Sequence, residues 1–308
     1  MVWSWCDGGM MGGYDLIGHT LWYTADSTMP AWGLLFTFPF RWLPYPAVWY
    51  TWVFFSLVTV GICMFVFGTR SKLLAVALSY SMIAGLWYGQ TEPLILAGIA
   101  LGWLVVQRKA HPAFMGVAWM LMLIKPQVGL LPAILFAFWL WESKTHGALL
   151  SACLVATTIF LLSVAIWPQW ISNYAAMSAA FIPPETNGAI WPAGLVALPL
   201  VMWPGLSRLA RLRVALAVNL IASPYVQSYH AVVSLAVSGS MFGALVSWLP
   251  LAVNLQHIAW LIPAAVLVGE FAGSAFKSLW QGRLSAEPGL PPPPHVRGLG
   301  VPGHARGE

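Results

Sequence analysis

The stretch from residue 46 to residue 67 constrains the fold most, because these 22 residues contain no charged side chain. A helix rises about 1.5 Å per residue, so a helix of this length crosses the roughly 30 Å hydrocarbon core of a bilayer. Arg70 and Lys72 follow directly, and basic residues at the end of a membrane helix mark its cytoplasmic side. The stretch is therefore predicted to be a transmembrane helix that ends inside the cell.

The rest of the chain also carries too few charges for a surface that faces water. Of its 308 residues, 59% are hydrophobic and 7% are charged, whereas about 25% are charged in soluble domains. We predict an all-α fold, a polytopic transmembrane bundle of about 8–10 membrane helices, some of them short or broken. The net charge of +5 comes mostly from short loops and the C-terminal tail. It indicates membrane orientation and argues against a nucleic-acid partner.

Composition divides the chain into three regions. Residues 1–29 are predicted to form a loop outside the cell, because they contain no Lys or Arg and three carboxylates, Asp7, Asp15 and Asp26. Residues 30–276 hold the apolar runs of the bundle. Residues 277–308 form a Pro/Gly-rich tail, which is predicted to be disordered.

Two short polar breaks, at residues 89–93 (GQTEP) and 125–127 (KPQ), interrupt the apolar runs. An ionisable group costs about 2.5 to 3.5 kcal/mol at the centre of a membrane helix, so Glu92 and Lys125 need a partner, a polar cavity or an interface. The two apolar segments between the breaks are joined by basic residues, which places both breaks on the outer side. We therefore predict that Gln90 and Lys125 meet at the same face of the bilayer.

A third break, at residues 223–230 (SPYVQSYH), is also predicted on the outer side, close to the first two. We assign catalytic roles to Asp15 and His230, as proton acceptor or shuttle. Lys125 offers a cation to a phosphate or a carboxylate of a substrate, with Gln127 beside it, and the remaining substrate contacts are assigned to Gln90, Glu92 and Tyr225. Two alternatives stay open: Glu92 in place of Asp15 as proton acceptor, and His230 as a hydrogen-bond partner of a phosphate. Structural interpretations stay open for each: a snorkelling lysine, helix-capping residues, and an interface histidine.

Other membrane segments follow from length and charge. Residues 147–167, 190–206 and 231–249 are predicted to cross the bilayer, with residues 168–189 as an external loop. Glu270 lies alone in the last apolar run, where the sequence offers no partner for it.

Several of these stretches resemble glycosyltransferase family 87, the polyprenyl-phosphate-mannose-dependent mannosyltransferases. The segment GLWYGQTEPLILAGIALGWLVVQRKAHPAFMGVAWMLMLIKPQVGLLP is similar to that family's GQ and KP pair with the apolar segments between. SPYVQSYHAVVSLAV resembles its later SP break, and MPAWGLLFTFPFRWLP resembles its YPP-type segment. Together these stretches cover about residues 14 to 240.

The resemblance implies a C-type glycosyltransferase bundle in the cell membrane. It implies a polyprenyl-phosphate sugar as donor, with mannose or another hexose transferred to a lipid or glycan acceptor at the outer face. It further implies an inverting reaction with an external-loop carboxylate as base, for which Asp15 is the first choice and Asp7 the second. Lys125 would neutralise the donor phosphate, and we expect no cofactor and no metal.

Two departures from the family pattern keep other functions open. The family has a helix before its first external loop, and this sequence shows none, which fits an N-terminally shortened homologue with weak or no activity. A transporter or flippase for a lipid-linked or anionic substrate, with Lys125 and Glu270 along its path, is the alternative from another class. A non-catalytic membrane scaffold is the third.

Overall fold

A computed structural model describes residues 30–286 except for 38, 41, 42, 44, 173–186 and 253–255. The described residues form α-helices and short 3-10 helices without any strand, which confirms the all-α prediction for this part of the chain. The α-helices are α1 (Ala31–Thr37), α2 (Tyr45–Val66), α3 (Leu73–Ala77), α4 (Tyr80–Trp87), α5 (Glu92–Val106), α6 (Phe114–Met122), α7 (Pro126–Glu142), α8 (His146–Ile166), α9 (Arg208–Ile221), α10 (Ala231–Ser238), α11 (Met241–Val246), α12 (Leu249–Ala252) and α13 (Leu261–Ala286). The 3-10 helices are Arg70–Lys72, Ala193–Met202, Ser228–His230 and Gln256–Ile258.

Two of the described helices are long and apolar enough to cross a membrane, Ala47–Val66 within α2 and His146–Ile166, which is α8. Both coincide with predicted spans. A third is added if α4 and α5, which bend by 118° at the break between them, count as one broken span. Large apolar side chains on α2 and α8 are exposed, among them Phe54, Phe65, Leu154 and Leu161, as expected for surfaces that face lipid.

Two predicted crossings take other forms. Residues 190–206 contain the ten-residue 3-10 helix Ala193–Met202, with Pro199 inside it. A proline has no N–H to donate, so it disfavours a regular α-helix at this position. Residues 231–249 divide at Gly239, whose φ of 63° lies in the left-handed region and ends α10. Neither stretch is a single long helix, so the predicted number of membrane helices stays a prediction.

The core is built around α5, in which eleven of fifteen residues are buried. It packs against α2, α6 and α7, while α9 and α10 pack against each other nearby. Gly98 lets α5 approach α6 closely, because a Cβ there would lie 2.8 Å from the carbonyl oxygen of Ala118. Small residues at such contacts are typical of helices that associate within a membrane.

Residues up to Glu270 form one compact unit, and the rest of the chain forms a second. In the second unit the described residues, 271–286, are the C-terminal part of α13. The helix extends ten residues beyond the predicted start of the tail at 277. The predicted external loop, 1–29, lies outside the described residues, as do residues 287–308.

Candidate functional site

The polar breaks at Gln90 and Lys125 meet, as predicted. Lys125 Nζ donates hydrogen bonds to Gln90 Oε1 at 2.6 Å and to Glu92 Oε1 at 2.8 Å. The Glu92 side chain is 1% exposed and that of Lys125 is 18% exposed. The carboxylate is thus sealed inside the protein, while the ammonium retains access to the surface.

Local sequence explains how Gln90 and Glu92 reach this position. Gly89 has a φ of 59°, and the N–H groups of Gly89 and Gln90 donate to the carbonyls of Leu86 and Gly85, which ends α4 in a Schellman motif. The chain then turns sharply, and Glu92 occupies the first turn of α5 with a proline at the start of the helix. A carboxylate in the first turn is stabilised by the helix dipole.

Lys125 also lies at a helix N-terminus, directly before the first residue of α7, but its charge is positive. Its backbone is extended, with φ −130° and ψ 92°, and it is followed by Pro126 at the first helical position. A cation at a helix N-terminus is disfavoured by the dipole. The contacts to Gln90 and Glu92 compensate this position.

The third break adds two aromatic residues to the cluster. Lys125 Nζ lies 5.0 Å from the centroid of the Tyr229 ring, at a distance suited to a cation–π contact. His230 Nε2 lies 3.6 Å from Glu92 Oε1, and the ring centroids of Tyr229 and His230 are 4.6 Å apart. The 3-10 helix Ser228–His230 therefore packs one face of the Lys125–Glu92 pair.

Hydrogen bonds within this break orient His230. The backbone N–H of Gln227 donates to His230 Nδ1 at 3.1 Å, as one half of a capping box, and the Tyr229 hydroxyl donates to the Gln227 side chain. Because Nδ1 accepts this hydrogen bond, it carries no proton, and a neutral His230 has its own proton on Nε2, which faces Glu92. Burial, followed by the nearby Lys125 charge, lowers the pKa of His230 well below 6.5. His230 lies in the break, outside the candidate spans.

Two helix N-termini meet at Lys125. α5 begins at Glu92, whose carboxylate accepts a hydrogen bond from Lys125 Nζ, and α7 begins at Pro126, directly after the lysine. Each helix N-terminus carries a partial positive charge of roughly half a unit, from N–H groups without an intrahelical partner. The lysine and the two helix ends together favour an anion at this place, although Glu92 neutralises the lysine itself.

The remaining predicted site residues make no hydrogen bond to Lys125 or Glu92 within the part of the chain that the structure describes. The Tyr225 ring lies 5.7 Å from the His230 ring, and burial raises the pKa of Tyr225 to about 12. Gln127 is half-buried in the first turn of α7, and its side chain makes no hydrogen bond to the described residues. Asp15 and the alternative base Asp7 lie outside the described residues.

A cavity beside Glu92 has a volume of about 10 Å³ and is lined mainly by apolar groups of α2, α4, α5 and α10. This volume admits at most one water-sized molecule. A ligand larger than a water molecule therefore does not fit this cavity.

The prediction of no metal and no cofactor is not tested by the geometry. Within the part of the chain that the structure describes, no group of three or more His, Cys, Asp or Glu side chains is placed to hold a metal ion.

Two contacts near the predicted site residues do not follow from the sequence pattern. Tyr229 lies in the predicted break, and its position next to His230 in the sequence is the signal that points to it. Glu270 does have a partner, since Arg213 Nη1 lies 3.4 Å from Glu270 Oε1, and the pair is largely buried. The two residues are 57 positions apart, and no local pattern predicts a contact over such a separation. The pairing of Glu270 does not test the transporter hypothesis, in which Lys125 and Glu270 line a path.

Comparison with known proteins supplies the family. The model of glycosyltransferase family 87 matches residues 28–186, just over half of the 308 residues. The matched region includes Gln90, Glu92 and Lys125, whereas Asp15 and His230 lie beyond its ends. No curated protein and no solved structure is significantly similar to the chain. The match confirms the resemblance: this membrane protein belongs to glycosyltransferase family 87 and is a glycosyltransferase.

Proposed function

We propose that the protein transfers mannose, or another hexose, from a polyprenyl-phosphate sugar to a lipid or glycan acceptor at the outer face of the cell membrane. The family supports sugar transfer. The observation that carries the choice of donor is the position of Lys125, a partly exposed cation at the meeting point of two helix N-termini, those of α5 and α7. This arrangement suits the phosphate of a donor whose prenyl chain stays in the bilayer.

The reaction assigns a definite task to Lys125. The acceptor hydroxyl attacks the anomeric carbon and loses its proton to a base, while the bond from that carbon to the phosphate oxygen breaks with its electron pair. The polyprenyl phosphate leaves with one more negative charge than the donor carried. Lys125 and the helix ends bind this charge more strongly as it develops, which is how such groups lower an activation barrier.

Glu92 and Gln90 hold the ammonium in place for this task. Both accept hydrogen bonds from Lys125 Nζ, at 2.8 Å and 2.6 Å. A lysine has three N–H donors, so a ligand phosphate can share or replace one of these partners. We propose that Gln127, in the first turn of α7 next to Lys125, adds a hydrogen bond to the same phosphate.

Asp15 remains the proposed base, because a carboxylate in an external loop is accessible to a bulky acceptor. His230 is the second residue with a proposed role in the reaction, as a positioning residue that acts through Glu92. Its complete burial and its Nε2 proton facing Glu92 suit it to steady the carboxylate that holds Lys125. Tyr225, stacked edge-on against His230, is proposed to contact the substrate.

The proposed setting is a multi-pass protein of the cell membrane with the C-type glycosyltransferase fold. Helices α2 and α8 provide two candidate spans, and the exposed Arg70 and the half-buried Lys72 follow α2. Basic residues at this end indicate the cytoplasm. We propose that the Lys125 site lies on the outer side, because the chain returns from that cytoplasmic end through α4 to α7.

A donor screen tests the proposal. Purified protein is incubated with radiolabelled polyprenyl-phosphate mannose, polyprenyl-phosphate glucose and nucleotide sugars, with membrane lipids and glycans as acceptors. We expect transfer from a polyprenyl-phosphate sugar, and a loss of about 10²- to 10³-fold in kcat/KM in Lys125→Met.

The matched control is Lys109→Met, which removes an exposed lysine between α5 and α6 and should transfer sugar at the wild-type rate. Transfer from nucleotide sugars alone, or full activity of Lys125→Met, would refute the donor assignment.

A further inference from the structure

We propose that Asn219 is a positioning residue for Lys125, through hydrogen bonds that hold the first turns of α7. Asn219 lies on α9 and is 6% exposed. Its side chain reaches across to a different helix. No motif in the sequence pointed to it.

Two hydrogen bonds make the connection. Asn219 Nδ2 donates to the carbonyl oxygen of Pro126 at 3.3 Å, and the backbone N–H of Leu131 donates to Asn219 Oδ1 at 3.0 Å. Pro126 is the residue directly after Lys125. The Asn219 amide therefore holds the helix at both its first and its second turn.

The start of α7 needs such external support. Pro132 lies inside the helix, where it cannot donate a backbone hydrogen bond and where its ring crowds the carbonyl four residues earlier. Lys125 makes no side-chain cap at the N-terminus. The Lys125 carbonyl accepts hydrogen bonds from the N–H groups of Val128 and Gly129, which form the first turn from within the helix, and Asn219 ties this turn to the neighbouring helix α9.

The placement of Lys125 depends on this turn. Its ammonium keeps distances of 2.6 Å and 2.8 Å to two acceptors on another segment, and hydrogen bonds weaken steeply when distance or angle departs from the optimum. Releasing the Pro126 carbonyl frees the backbone to which the lysine is attached. Asn219 thus acts on Lys125 without touching it or the substrate.

Chemical labelling of Lys125 tests the proposal directly. The purified full chain in detergent is treated briefly with an amine-reactive acetylating reagent, and the extent of modification of each lysine is read by mass spectrometry. The variants are Asn219→Leu, which removes both hydrogen bonds, and Asn219→Asp, which keeps the acceptor for Leu131 and removes the donor to Pro126. We expect Lys125 to be labelled about tenfold faster in Asn219→Leu, the factor that corresponds to the loss of hydrogen bonds of ordinary strength.

Internal and matched controls make the result specific. Labelling of the exposed Lys109 and Lys144 should not change. Thr69→Val removes another buried hydrogen bond between segments, from Thr69 Oγ1 to the Ala236 carbonyl at 2.8 Å, and should leave Lys125 labelling at the wild-type rate. Equal Lys125 labelling in wild type and Asn219→Leu would overturn the proposal. Unfolding of both Asn219 variants, seen as a loss of the helical circular dichroism signal, would overturn it as well.

The consequence for catalysis rests on the function proposed above and has a separate readout. If Asn219 acts through Lys125, Asn219→Leu lowers kcat/KM in the wild type but has no further effect in the Lys125→Met background. Additive effects in this double-mutant cycle would mean that the two residues act independently. Absence of sugar transfer by the wild type would refute the proposed function, while the labelling result would still decide the role of Asn219.

Discussion

The buried ion pair between Lys125 and Glu92 allows stability and activity to be separated by mutation. Lys125→Met keeps the length of the side chain but leaves the Glu92 carboxylate, 1% exposed, without its cation. Breaking a buried pair in this way costs about 3 to 5 kcal/mol. Because Lys125 is 18% exposed and water reaches it, we expect the lower end, about 3 kcal/mol.

Removing the charge on both residues should reverse most of this loss. In Lys125→Met/Glu92→Gln no buried charge is left uncompensated, and we expect about 2 of the 3 kcal/mol to return. Sugar transfer should stay as low as in Lys125→Met, because the proposed phosphate ligand is still missing. The combination of recovered stability and absent activity distinguishes a catalytic lysine from one that only completes an ion pair.

The assay is thermal unfolding of the purified variants in detergent, alongside transfer from the polyprenyl-phosphate donor. For a chain of this size about 3 kcal/mol corresponds to a fall of about 6 °C in Tm. Lys109→Met serves as the control, with an expected change within about 0.5 kcal/mol. A Lys125→Met variant as stable as the wild type would refute the buried pair, and a double variant with restored transfer would refute the role of the lysine.

Three further predictions follow from other parts of the molecule. Gly129→Ala should destabilise the protein by about 1 to 3 kcal/mol in thermal unfolding, because the new Cβ would overlap the backbone of Met122. Asp15→Asn should abolish transfer without changing Tm, and full transfer by this variant would remove Asp15 as the base. His230→Gln should weaken the pH dependence of Tm. Burial and then Lys125 lower the pKa of His230 below 6.5, so below about pH 6.5 the unfolded chain gains a proton that the folded chain does not, and stability falls by up to about 1.4 kcal/mol per pH unit. Tm measured from pH 7 to pH 5 should therefore fall less in the variant than in the wild type, and equal slopes would contradict this reading.

Two asparagines and one glycine show how the site depends on its surroundings. Asn219 holds the first turns of α7, and Asn187 accepts a hydrogen bond from the backbone N–H of Val226 at 3.0 Å and donates one to the Pro224 carbonyl at 3.0 Å. Gly89 turns the chain between α4 and α5. Each acts on the backbone of a break rather than on a substrate, so the breaks are held in place from helices and loops far away in sequence.

The amino-acid sequence was sufficient to predict a helical membrane protein and the positions of its polar breaks. Long apolar runs without charge can only be satisfied in lipid as helices, so residues 46–67 and 147–167 were recognisable from composition alone. Prolines, glycines and isolated charges mark helix ends locally, and the breaks at Gln90 and Lys125 were visible for that reason. The family resemblance rested on the same stretches.

The groups that surround Lys125 can be identified only from the packing of the helices. The bond from Asn219 to Pro126, the ring of Tyr229 beneath the ammonium, and the pairing of Arg213 with Glu270 join segments far apart in the chain. Local propensity contains no information on such contacts, because they depend on how closely helices pack and on the direction in which each break turns the chain. A charged residue in an apolar stretch of sequence indicates that a partner is needed, because an unpaired charge is costly there. Which residue becomes that partner depends on how the helices pack.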